Sequence, residues 1–116
     1  MSRPWSPAEV EERAFKLRRE LDDMVLALPR LVEESAKAKR EYRSAKAQAY
    51  LAARARNPSL TVDERKAMVD DEIGDVEAAD MIAEEMLRAA RDRIRVGLAE
   101  QDMLRSMLVS HRQVVD

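Results

Sequence analysis

The chain has 116 residues, of which 38% are charged, 46% apolar and only 3% aromatic. That length bounds it at one domain, and the composition is that of long charged helices, which excludes a β-sandwich or an α/β sheet as the expected architecture. A net charge of −2 gives no global bias towards nucleic acid or membrane, and the absence of cysteine removes disulfides and thiolate metal sites.

The opening stretch, residues 1–13, lacks the apolar core of a signal peptide. No apolar run approaches the ~18 residues of a membrane span. The expected location is the cytoplasm, with no membrane contact.

A first helical arm is predicted over about 7–56. Ser6 is placed to cap it, Pro7 fits the first helical position, and Glu9 sits three residues after the cap. This is a capping-box pattern, with Trp5 and Val10 spaced as a hydrophobic staple. Pro29 lacks the N–H of an internal helical hydrogen bond, so a kink or short break is expected there. Residues 57–61 hold the turn, marked by Asn57-Pro58-Ser59-Leu60.

Thr61 then caps a second arm over about 62–113, with Glu64 completing another capping box. Gly74 and Gly97 weaken this arm by roughly 1 kcal/mol each relative to alanine, without a neighbouring proline to force a stop. The arms are nearly equal, roughly 75–80 Å each at about 1.5 Å per residue. Equal arms around one turn predict an all-α, coiled-coil-like antiparallel hairpin, residues 1–116 forming a single helical domain.

The heptad register supports this. In the first arm the 3/4 spacing runs through Val10, Ala14, Leu17, Leu21, Met24, Leu28, Leu31, Ser35, Ala38, Tyr42, Ala45, Ala49 and Ala52. In the second it runs through Val69, Ile73, Val76, Asp80, Ala83, Leu87, Ala90, Ile94, Gly97, Gln101, Leu104 and Leu108. Folding at the turn stacks Ala49 on Val69, Ala45 on Ile73, Tyr42 on Val76, Leu31 on Leu87, Met24 on Ile94 and Val10 on Leu108.

Charge gives the same register independently. Residues 37–56 hold seven Lys/Arg and one acid, whereas residues 61–86 hold ten acids and two bases. Lys39 is expected near Glu77, Lys46 near Asp70, and Arg54 less directly near Asp63. Exposed pairs are worth only ~0–1 kcal/mol, so their value lies in direction and register.

A lone hairpin buries one stripe of each arm and is marginal at this size. A further apolar stripe in the second arm, Met68, Ile82, Met86, Val96, Met103 and Met107, is the candidate oligomer interface. Phe15, Val25, Leu26 and Val32 add exposed apolar surface to the first arm. A second copy, another protein or a fold-back at Pro29 would cover them; the favoured expectation is a second copy, giving a four-helix dimer, and methionine suits adaptable interfaces.

The motifs that would carry chemistry are weak. Lys39, Arg43, Lys46 and Arg54, with Tyr42 and Tyr50 interleaved, are candidate nucleic-acid contacts, against the alternative of pairing with the acidic arm. His111 is expected to be solvated or to complement the helix dipole. No phosphate-loop, serine-hydrolase or zinc-protease motif is present. The residues therefore predict no catalytic site, no cofactor and no bound metal.

Asp71-Glu72-Ile73-Gly74-Asp75 resembles the E-x-x-D helix of MazG-like nucleotide pyrophosphatases, with Glu33-Glu34 as the partner pair. That resemblance implies Mg²⁺ held by paired carboxylates, but Lys37 stands where the family has a third acid, and the hairpin register sets Glu34 opposite Glu84 and not Glu72.

Glu41 to Leu51, Asp63 to Ala67, and Ala83-Glu84-Glu85 onward through Ile94-Arg95 resemble small helical proteins of actinobacterial phages and prophages, over roughly residues 30–96. This implies an accessory protein of a bacterial host's cytoplasm, used near DNA replication or recombination. Pro29 departs from the uninterrupted first helix of that group. The leading expectation is a non-enzymatic interaction protein, a homo-oligomer with an unidentified protein partner. Nucleic-acid contact through residues 37–56 is the alternative, and nucleotide hydrolysis is a further one.

Overall fold

The computed structural model describes residues 4–115, and side chains as far as Gln113. Three helices account for nearly all of them: α1 (Pro7–Arg56), α2 (Val62–Glu72) and α3 (Gly74–Val115). There is no strand among the described residues.

Helix α1 starts where the cap was expected. The Glu9 N–H donates to Ser6 Oγ at 3.2 Å, and the Val10 N–H donates to the Ser6 carbonyl at 3.0 Å. The helix then runs through Pro29 without the expected break. Proline deprives the Val25 carbonyl of its helical donor. Val25 is an exposed residue, so water can meet that carbonyl. Leu28 and Leu31, on either side of the proline, are both partly buried.

After α1 the turn closes with the Leu60 N–H on the Asn57 carbonyl, 3.2 Å. Thr61, in an extended conformation (φ −66°, ψ 164°), caps α2 by accepting from the Glu64 N–H at 3.2 Å. The second arm, expected to be one continuous helix, is interrupted at Ile73 (φ −100°, ψ 8°), between α2 and α3. The interruption is slight, because Ile73 still donates to the Val69 carbonyl and accepts from the Glu77 N–H, both at 3.0 Å.

The described residues gather into two compact units, one drawn from Met1–Pro29 and Ala89–Asp116, the other from Arg30–Arg88. In the first, Val10, Leu17, Leu21 and Leu104 form the core, with Ala14, Met24, Met107 and Leu108 packed on it. Its partners run antiparallel: Arg13 meets Glu100, and Leu21 lies against Gly97. In the second, Ala49, Ala53, Val69 and Ile73 form the core, flanked by Tyr42, Ala45, Tyr50 and Val76.

Every position of both expected seams is buried or partly buried. The seam is therefore the packed face of the helices, as its 3/4 spacing requires. Ala53, one residue beyond the expected Ala52, is the more deeply buried of the two. Two polar residues interrupt the seam of the second unit. Ser35 is buried, and Asp80 has a buried Oδ1 with no hydrogen-bond partner among the described residues.

Candidate functional site

In the first unit, α1 and α3 are joined by a two-point contact. Arg13 Nε donates to Glu100 Oε1 at 2.8 Å and Arg13 Nη2 donates to Glu100 Oε2 at 3.1 Å. Such fork-on-fork pairing is directional as well as attractive. The hydrogen bond to Arg13 holds the Glu100 carboxyl below the usual carboxylate range, and the same bond raises the already high pKa of Arg13. Beside this pair lies an open groove of about 680 Å³, floored by Leu17, Met24, Val96 and Gly97. The sequence flagged neither residue of the pair. Their one signal is that each stands next to the seam.

In the second unit the expected charge pairing takes a different form. Lys39 reaches Glu84 at 4.0 Å, not Glu77. Lys46 lies over the Tyr42 ring, 5.7 Å from its centroid, instead of pairing with Asp70. That contact is a cation–π arrangement, available because Tyr42 is only partly buried in the seam. Arg43 and Arg54 are exposed, and neither makes an ion pair among the described residues. A groove of about 470 Å³ on this face is lined by Tyr42, Asp70, Gly74, Glu77 and Met81 among others.

The apolar stripe is solvent-facing in this chain. Met68, Ile82 and Met86 in the second unit, and Val96 and Met103 in the first, are all exposed, from 46% at Met68 to 64% at Val96. Met107 differs: it is partly buried and packs on the Val10–Leu104 core, so its burial is already supplied within the unit. Phe15, Val25, Leu26 and Val32 are also exposed.

Asp71, Glu72 and Asp75 are exposed, and no group of three or more His, Asp or Glu side chains converges to a metal-binding geometry among the described residues. His111 is partly buried. No helix of the described residues is long and apolar enough to cross a membrane.

The described residues form an all-helical fold of three helices. Comparison with protein-family models, with curated proteins and with solved structures gives no match for this chain.

Proposed function

We propose that this chain is a non-enzymatic helical interaction protein that works by self-association, two copies closing into a four-helix bundle that then binds a further protein. The observation that carries this reading is the exposure of Ile82 and Met86 at helical spacing on α3, whose other side is already packed against α1. Layered helices reach a stable core by covering such stripes with another element, and a second copy supplies one without further sequence. The accessory role in a phage-infected host implied by the resemblance fits a protein that works by contact.

The test is Ile82→Glu combined with Met86→Glu, followed by sedimentation equilibrium. Both side chains are exposed in the single chain, so helicity by circular dichroism should survive while the dimer dissociates. A wild-type protein that stays monomeric at tens of micromolar would refute the reading.

A further inference from the structure

We propose that the charged face of the Arg30–Arg88 unit is a second docking surface for another copy of this chain, adding a salt-sensitive step of assembly. The inference extends the self-association reading to a different face, so the two can fail separately. On this face α1 presents Lys39, Arg43, Lys46 and Arg54, while α2 and α3 present Asp63, Asp70, Glu77 and Glu84 at successive heptad positions. Lys39–Glu84, at 4.0 Å, is the ion pair that joins the two rows. Arg43, Arg54, Asp63, Asp70 and Glu77 make none among the described residues.

Each row repels a copy of itself and attracts the other. A two-fold operation that lays the basic row of one copy on the acidic row of its partner therefore satisfies both rows twice. Beside the acidic row lies the groove lined by Tyr42, Lys66, Asp70 and Glu77 among others, with Met81, 60% exposed, as an apolar anchor at its edge. A nucleic acid would be drawn by the basic row but repelled by the acidic row beside it. A surface of alternating sign fits a partner of alternating sign, and this chain is one.

Glu77 and Met86 lie nine positions apart on α3, roughly half a turn around the helix at about 100° per residue. The charged face and the apolar stripe therefore point different ways and can be occupied together. Two self-complementary faces on one chain produce assemblies that grow beyond a dimer.

The experiment is sedimentation velocity on the full chain from low salt to about 0.5 M NaCl, where exposed charges beyond a few ångströms are screened. The wild type is expected to form species larger than the apolar dimer at low salt and to return to that dimer at high salt. Arg43→Glu with Arg54→Glu, and separately Asp70→Lys with Glu77→Lys, should each weaken the larger assembly at least tenfold. An equimolar mixture of the two variants should restore a one-to-one contact. If a reversed variant loses helicity, Arg43→Gln with Arg54→Gln replaces it and should give the same loss. A dimer unchanged by salt and by charge reversal overturns the proposal and leaves the apolar reading standing. Association that is lost entirely at high salt would overturn the apolar reading instead. Duplex DNA binding abolished by Arg43→Glu, with sedimentation unaltered, would assign the face to nucleic acid and overturn the proposal.

Discussion

In the unit drawn from the two ends of the chain, both helices supply bulk, Leu17 and Leu21 from α1 and Leu104 from α3, and α3 recedes only at Gly97, where Leu21 fills the space. In the Arg30–Arg88 unit the buried core is more one-sided. There α1 buries Ala49 and Ala53, flanked by Ala45 and the partly buried Tyr42 and Tyr50, and the returning arm supplies Val69, Ile73 and Val76. Large faces small at Leu21 on Gly97 and at the alanines on Val69 and Ile73, which is how helices interdigitate at close range. The difference lies in what else fixes the register. The first unit has the directional Arg13–Glu100 fork, whereas among the described residues the second has one inter-helix ion pair at 4.0 Å and a carboxylate oxygen of Asp80 without a hydrogen-bond partner in its seam. Side-chain size must therefore carry more of the specificity in the second unit.

The largest expected effect breaks the second unit at its steric centre. Ile73 is 3% exposed and packs with Ala49, Ala53 and Val69. Ile73→Asp would bury a charge among groups that offer it no hydrogen bond, at a cost of about 4 kcal/mol or more. A thermal melt followed by circular dichroism should show loss of folding or a transition lowered by tens of degrees. An unchanged melt would mean that the alanine-on-isoleucine packing is wrong.

The two glycines sharpen the comparison, because the same substitution should act with opposite sign. A Cβ at position 97 would lie 2.5 Å from Leu21 Cδ2 and 3.2 Å from its Cγ. Leu21 is 5% exposed and has little room to move, so Gly97→Ala should destabilise by about 1–2 kcal/mol despite the better helix former. At Gly74 nothing lies within 4 Å of the added Cβ, and its φ is not positive. Gly74→Ala should therefore stabilise by about 0.5–1 kcal/mol and firm the junction between α2 and α3. Urea denaturation of both variants reads the two signs directly. A shared sign would remove the size argument from the first unit.

Much of the fold is legible in the sequence because it rests on periodicity. The 3/4 spacing marks the buried apolar positions apart from Ala53, which it replaced with Ala52, and Ser6 and Thr61 announce two helix starts through their hydroxyls. Less legible are features that depend on how far a flexible side chain reaches. Lys39 bypasses Glu77 for Glu84, Lys46 turns onto Tyr42, and Arg13 finds Glu100, all from positions beside the seam where spacing limits the partners without choosing one. No break forms at Pro29, because the cost of its missing N–H depends on the solvent around Val25. Ile73 and Gly74 hide a junction because no strong breaker marks it. The apolar stripe is legible as a pattern, yet Met107 shows that a stripe residue can be consumed by the unit's own core.

The smallest expected effect concerns the Arg13–Glu100 fork, and it asks whether directional pairing adds to the first unit's register. Both side chains are about one-third exposed, so solvent screens the pair, and a double-mutant cycle with Arg13→Ala and Glu100→Ala should give a coupling of about 0.5–1 kcal/mol. The pH dependence has a definite sign. Glu100 is held below the ordinary carboxylate range by its bond to Arg13, so the folded state binds this proton less readily than the unfolded chain. Its contribution is present in full above the unfolded carboxylate value of about 4.3 and is lost as pH falls through the lower folded value. Arg13 remains charged throughout and adds no dependence in that window. Wild type and Glu100→Gln, compared by urea denaturation, should differ near neutrality and converge as pH falls below the ordinary carboxylate range. Curves that stay parallel through the acid range would show that the fork closes in the folded geometry without stabilising it, leaving Leu21 on Gly97 to set the register of the first unit as well.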